Sequence, residues 1–290
     1  MLLMLVLLLL IMIFIVQAIA FITLYERHLL GSSQGRIGPN KVSFMGVLQA
    51  IFDGVKLLKK EQLTTLNSSE LSFLLVPGIA FMTMYLEWFT LPYFYEFFTF
   101  QYSVLFFLCL LGFTVYAILI SGIVSKSKYG MVGALRASNQ SISYEIAFSL
   151  YLLMAVMYFN SVSFVENWNL GLMVIFVPVF LMILAELNRA PFDFAEGESE
   201  LVSGFNVEYS SVAFVLLFLS EYGSLLFFSV LFSVVFLNFS FIGCFLLFSM
   251  VIFIRSAFPR FRYDKMMEMF WFKLLPLSLV LLSYVVIILV

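Results

Sequence analysis

Cysteine, histidine and charge are all scarce in this chain. Of 290 residues, two are cysteine (Cys109 and Cys244) and one is histidine, His28. An iron–sulfur cluster usually takes four cysteine ligands, so this chain alone holds none. A single histidine excludes bis-histidine haem ligation. Both cysteines lie in apolar runs and read as small packing or lipid-facing residues, not as a disulfide framework. Neither a GxGxxG run nor a Walker-type phosphate loop occurs. These gaps leave no catalytic residue and no metal-ligand set to nominate. Electrons for any redox role must come from a partner.

Charged residues make up 11% of the chain, against roughly 25% in a soluble domain. Hydrophobic residues make up 63%, and the mean hydropathy is +1.10. No soluble core hides that much apolar surface. The expected fold is all-α: a polytopic integral membrane protein, one membrane domain over residues 1–290. A span needs about 20 residues, so the length allows about eight transmembrane helices with modest loops. The uncharged run 1–25 and further apolar runs place them at about 1–25, 70–92, 101–124, 141–161, 168–187, 209–236, 239–255 and 273–290. The turn near Asn238-Phe239-Ser240 separates two of them. Ala18-Ile19-Ala20 resembles a cleavage site, but the run before it lacks a basic residue and is too long for a signal peptide. It reads as a retained span. Asn67 followed by Glu70 reads as a capping-box start for the second span.

Positive charge then orients the chain. All 15 Lys and Arg residues fall in or beside alternate loops. By the positive-inside rule those loops face inward, and both termini lie on the outer face. The first inner loop, 26–69, holds an amphipathic stretch from Gly46 to Glu61. Leu48, Ile51, Phe52, Val55 and Leu58 share one helical face; Gln49, Asp53, Lys56 and Lys60 share the other. Such a helix lies in the membrane interface. It either anchors the loop or walls the entrance for an amphipathic ligand. The last inner loop, 255–273, is basic. The 37 phenylalanines suit lipid contact, and they also fit a thymine-rich coding strand of a small organelle genome.

The inner loop 188–208 is acidic instead. Asp193, Glu196, Glu198 and Glu200 crowd into eight residues between apolar flanks. Crowded carboxylates raise each other's proton affinity. Glu145, Glu186 and Glu221 fall within spans, where a charge costs about 2.5–3.5 kcal/mol even on a lenient scale. No Lys or Arg stands at the same depth, so protonation or a water chain is the natural way to hold them. Together with the acidic loop they suggest a proton-carrying line into the membrane. Glu87, beside Trp88, reads as an interfacial residue, and His28 as structural.

At these residues the chain resembles a known family. Glu26-Arg27, Leu30-Gly31, Gly38-Pro39-Asn40 and Lys56-Leu57 with Lys60-Glu61 resemble the first loop of the chain 1 family of respiratory NADH–ubiquinone oxidoreductase, complex I. So do Gly133-Ala134-Leu135-Arg136-Ala137 and Ile142-Ser143-Tyr144-Glu145. The longest match runs from Ala185-Glu186-Leu187-Asn188-Arg189-Ala190-Pro191-Phe192-Asp193 through Glu196-Gly197-Glu198-Ser199-Glu200 to Glu208. Glu221-Tyr222, Arg255 and Pro259-Arg260-Phe261-Arg262-Tyr263-Asp264 follow in order. The resemblance is to mitochondrially encoded members. Many of these carry Lys, Tyr and Lys where His28, Ser32 and Ile37 stand, so this first loop is less basic and less aromatic.

The resemblance implies a membrane subunit, in the mitochondrial inner membrane, that joins the peripheral arm and forms much of a ubiquinone chamber. Ubiquinone is then a substrate and nothing is bound covalently; flavin and iron–sulfur clusters belong to partner subunits. Other membrane and peripheral-arm subunits and lipids are the implied partners, and no nucleic acid. The implied quinone-chamber residues are Arg27, Arg36, Asp53, Phe192, Asp193, Arg260 and Arg262. The implied proton-path residues are Glu145, Glu186, Glu196, Glu198, Glu200 and Glu221, with Arg136 and Arg189 as cationic partners. Coupling would be a change in carboxylate protonation passed to neighbouring subunits. Two other readings remain open here. A proton-coupled secondary transporter suits buried acids but predicts broken helices and an internal repeat, and no repeat is visible. The membrane subunit of a related hydrogenase complex needs no quinone chamber. A bare structural anchor leaves the acidic loop and Glu221 unexplained.

Overall fold

The computed structural model describes residues 2–65, 68–93, 101–164, 170–195 and 204–289. Among the described residues the regular elements are helices: α1 (Leu2–Ser33), α2 (Val47–Lys59), α3 (Glu70–Glu87), α4 (Ser103–Val124), α5 (Lys128–Phe159) and α6 (Phe176–Glu186). They continue with α7 (Ser211–Leu237), α8 (Phe241–Ala257), α9 (Tyr263–Met269), a π-helical turn at Phe270–Leu274, and α10 (Leu275–Leu289). Among the described residues, six stretches are long and apolar enough to cross a bilayer: Val6–Ser33, Glu70–Thr90, Ser103–Val124, Lys128–Phe159, Ser211–Leu237 and Tyr263–Ile288. Gly171–Glu186 and Phe241–Ala257 are shorter apolar helices. The protein is a multi-pass, all-helical membrane protein.

Three helices run past the boundaries read from hydropathy. α1 continues through Glu26 and Arg27 to Ser33, so both stand on helix and not on loop. Its 32 residues rise about 48 Å, well beyond the ~30 Å hydrocarbon layer. α5 starts at Lys128, 13 residues before the expected span, and carries Arg136 within it. Ser127 caps it by accepting from the Gly130 amide at 3.1 Å. The last helix starts at Tyr263, and its π turn packs Phe270 against Tyr144. The Tyr151 hydroxyl donates to the Leu274 carbonyl at 3.2 Å, satisfying one acceptor that the π turn frees. The start of α3 also differs. Its N-cap is Ser69 in extended conformation, followed by Glu70 in the first turn; Asn67 lies outside the described residues. The turn between α7 and α8 falls where expected, with Asn238 and Phe239 at positive φ and Ser240 capping α8.

α4, α5 and α7 form the centre. Water is absent from a bilayer core, so helices associate by close packing instead of by hydrophobic exclusion. Small residues on the early turns of α5 (Gly130, Gly133, Ala134 and Ala137) are buried. A Cβ on Gly133 would stand 3.0 Å from the Gly204 Cα, so only glycine allows that backbone approach. Further along, Phe107, Phe148, Phe227 and Phe228 interlock edge-on or tilted, with centroids 5.4–6.4 Å apart.

α2 is amphipathic as read, and its apolar residues Leu48, Ile51, Phe52, Val55 and Leu58 are exposed in the isolated chain. Two ties fix the strand of chain after it to the start of α7. Ser211 donates to the Lys60 carbonyl at 2.6 Å, and the Leu63 amide donates to Ser210 at 3.0 Å. His28 bridges to the Met45 carbonyl at 3.0 Å, and Gly38 packs on the His28 ring where a Cβ would collide. His28 therefore holds the chain between α1 and α2, which is a structural role.

Candidate functional site

α5 presents one buried stripe to its neighbours. Gln140 and Tyr144 lie one turn apart on it and face the end of α6. The Gln140 amide donates to the carbonyls of Ala185 (2.8 Å) and Phe192 (3.0 Å). It thereby pins the last turn of α6 and the loop beyond it. The Tyr144 hydroxyl donates to Oε2 of Glu186 in that last turn. Glu145, next along α5, is half-buried, and its Oε1 lies against Gly112 of α4. Glu221 sits in the third turn of α7, where the Asn206 side chain donates to its Oε1 at 3.3 Å.

Between α3, α4, α7 and the end of α6 lies a cavity of about 90 Å³. Water needs roughly 10–15 Å³ of such space, so several molecules fit. Glu87, Glu186, Glu221, Asn188 and Arg189 line it, with hydroxyl side chains of α3, α4 and α7 between them. The structure thus brings together two expected proton-path residues, Glu186 and Glu221, with Arg189. It also adds Glu87, which has no site role in the sequence reading: Glu87 is only 2% exposed and faces this cavity.

Glu26 is the second residue that the sequence reading missed. It is 4% exposed, near the end of α1. Arg189 donates to its Oε1 at 3.1 Å, Arg255 donates to the same oxygen, and Tyr222 donates to Oε2 at 2.8 Å. The Arg189 guanidinium also lies 4.4 Å from the centre of the Tyr222 ring. Burial works against the Arg189 charge, but Tyr222 and Glu26 outweigh it and hold the group above its ordinary pKa. Arg189 is therefore a permanent cation at the mouth of the cavity. The hub ties α1, α7, α8 and the loop after α6 into one unit. Arg136 stands half-buried on α5.

The expected quinone residues fall into separate groups. Arg27 and Asp53 pair at 3.0 Å between α1 and α2, each nearly half exposed. Asp193 pairs with Arg260 at 2.8 Å, and the Phe261 amide donates to the Pro191 carbonyl at 3.0 Å, joining the two inner loops. Phe192 is 1% exposed, stacked on Phe261 and packed on Phe270, so its ring belongs to the core. Arg262 points outward to Asp264 at 3.0 Å, and Arg36 donates to Gln34 at 2.8 Å. Arg260 and Arg262 line a cavity that contains neither Arg27 nor Asp53. Glu196, Glu198 and Glu200 lie outside the described residues. An exposed ion pair contributes about 0.2–1 kcal/mol. Asp53→Asn is therefore expected to move the thermal unfolding midpoint in detergent only slightly. A large drop would mean that the pair holds α2 in place.

A family model described as NADH dehydrogenase matches residues 5–286. The chain is 43% identical over 275 residues to NADH-ubiquinone oxidoreductase chain 1 of Aedes aegypti, covering 90% of this chain and 88% of that one. It is 45% identical over 275 residues to the chain 1 of Anopheles gambiae, with the same coverage. With the chain 1 of Artemia franciscana it shares 41% over 284 residues, 94% of each. These matches cover nearly the whole helical bundle, and the chain belongs to the NADH dehydrogenase family.

Proposed function

We propose that this chain is the core membrane subunit of mitochondrial complex I that meets the peripheral arm. On this reading it forms much of the ubiquinone chamber and carries a carboxylate path that couples quinone reduction to proton translocation. The observation that carries the reading is the cavity in which Glu186 and Glu221 meet beside Arg189. A purely structural helix bundle has little use for two carboxyl groups gathered in one cavity at membrane depth. The relatives' name supplies the reaction, NADH oxidation with ubiquinone as acceptor. Flavin and iron–sulfur clusters are assigned to partner subunits. Both termini are assigned to the intermembrane-space face.

Reducing a quinone to a quinol takes two electrons and two protons. Asp193 with Arg260, and Arg27 with Asp53, are polar groups that would meet a quinone ring at the inner surface. α2, with its exposed apolar face, would meet the tail. Proton uptake near Asp193 changes the charge that the acidic loop feels, and Glu196, Glu198 and Glu200 would carry that change toward Glu186. Tyr144 then links Glu186 to α5. Waters in the cavity would join Glu186 to Glu221, and Arg189 would stabilise whichever carboxylate is ionised.

Native separation after mild detergent extraction tests the assignment, with NADH–quinone activity assayed on the band that contains this chain. A very large flavin-containing assembly with inhibitor-sensitive activity is expected. A small homo-oligomer without redox partners would overturn the reading. Within that assembly, Tyr144→Phe removes the donor to Glu186 and leaves the ring packing. A hydrogen bond to a charged group contributes about 1.5–3 kcal/mol, and 1.4 kcal/mol is tenfold in rate. Turnover is expected to fall about tenfold with assembly intact. An unchanged rate would remove Tyr144 from the path.

A further inference from the structure

We propose that Glu87 is a further proton-holding carboxyl of the cavity, extending the line of Glu186 and Glu221 toward the membrane face opposite α2. This rests on the proton path proposed above. Glu87 ends α3, about 25 Å along the helix from Glu70, and so lies in the far half of a ~30 Å layer, toward its far edge. It is 2% exposed and lines the same cavity as Glu186 and Glu221. Its Oε2 is buried and has no hydrogen-bond partner among the described residues. No ion pair among the described residues includes it.

The hydroxyl donors around it are already committed. Thr83 of α3, Thr114 of α4, and Ser220 and Ser224 of α7 each line the cavity. Each hydroxyl donates to the carbonyl three residues back, at 2.6–2.8 Å. Their oxygens therefore present lone pairs to the cavity and no proton. Of the titratable groups facing Glu87, Glu186 at the end of α6 and Glu221 of α7 are acids. Tyr144 of α5 stands behind Glu186, to which it donates. Arg189 is bound to Glu26. α4 contributes no titratable side chain to the lining. The remaining donors of the lining, the Asn188 amide and the Arg189 guanidinium, belong to the loop after α6, so beside the hydroxyls of α3, α4 and α7 an ionised Glu87 adds one more acceptor whereas a protonated one donates. Glu87 fits this cavity as a group that carries a proton and hands it to water or to Glu186.

The test uses the assembled complex with Glu87→Gln, which keeps shape and polarity but cannot carry a proton. Redox-triggered infrared difference spectra in water and deuterium oxide report protonated carboxyl groups. Sealed vesicles report protons moved per electron. Glu87→Gln is expected to remove one deuterium-sensitive carboxyl band. Proton transfer by a positioned group contributes about 10²–10⁴-fold; with Glu186 and Glu221 retained, translocation should fall by about tenfold. An unchanged spectrum and an unchanged ratio would overturn the proposal, since a merely structural carboxyl is replaced by the amide. If Glu87→Gln does not assemble, Glu87→Asp decides. The band shifts if Glu87 is its source, and a band left in place overturns the proposal. Glu221→Gln in the same vesicles separates the two levels. If it impairs translocation and Glu87→Gln does not, only the role of Glu87 fails. If neither variant impairs it, the path itself fails.

Discussion

Glu26→Ala is expected to destabilise the folded chain by about 3–5 kcal/mol, the usual cost of removing one partner from a buried charge network. The substitution takes away the one acceptor shared by Arg189, Arg255 and Tyr222. Arg189 would suffer most, because its side chain is 13% exposed and its Tyr222 contact cannot neutralise it. Arg255 is 36% exposed and regains water, so its share is smaller. Glu26→Gln keeps one acceptor oxygen and loses the charge, and should fall between the two. The measurement is the thermal unfolding midpoint of the detergent-solubilised complex, with native electrophoresis to follow assembly. Little or no loss in Glu26→Ala would mean that desolvation of the three groups already cancels their attraction. Replacing Glu26, Arg189 and Arg255 together by apolar residues distinguishes the cases. It should recover much of the stability, because no charge is left buried and unpaired.

The hub also explains where reading by hydropathy stops short. Hydropathy ends the first span at Tyr25, before Glu26, because charge is expensive in lipid. α1 nevertheless runs on through Glu26, since that side chain is neutralised by residues 163 and 229 positions away. α5 likewise begins 13 residues early, because its first turns bury small residues in close contacts, Gly130 and Ala134 against Gly122 of α4 and Gly133 against Gly204. Where neither condition intervenes, as in α4, α7 and α8, the apolar run and the helix agree within about two residues, in line with the usual uncertainty of helix ends. Turn chemistry between α7 and α8 was legible for a local reason: Asn tolerates positive φ and Ser caps.

The site was legible in its parts and not in its assembly. Glu186 and Glu221 stand out because a carboxylate in an apolar run is rare in any sequence. Glu87 is equally apolar in its surroundings, yet Trp88 beside it reads as an aromatic belt and hides its burial in the bundle. Only the approach of α6 and α7 to the far end of α3 reveals it. Gln140 and Asn206 carry no signal alone, because their roles lie in the carbonyls and carboxylate that the fold brings to them.

Glu221→Gln is the second large effect. The change keeps the volume of the side chain and leaves an amide that Asn206 can still contact through its oxygen. Stability should therefore change little, and the assembled complex should persist. What is lost is the one group in α7 that can take and release a proton within the cavity. With Glu186 reached through Tyr144 on one side and Arg189 on the other, nothing else on α7 can replace it. Positioned proton carriers contribute about 10²–10⁴-fold, and coupled turnover is expected to fall by at least about 10²-fold. The measurement is inhibitor-sensitive NADH–quinone turnover in sealed vesicles, with proton uptake followed in the same sample. If turnover falls and proton uptake falls with it, electron transfer waits on the carboxylate, which is the meaning of coupling. If turnover persists while uptake fails, Glu221 lies after the point where the two are joined. Normal pumping in this variant would show that protons cross by a route that avoids the cavity.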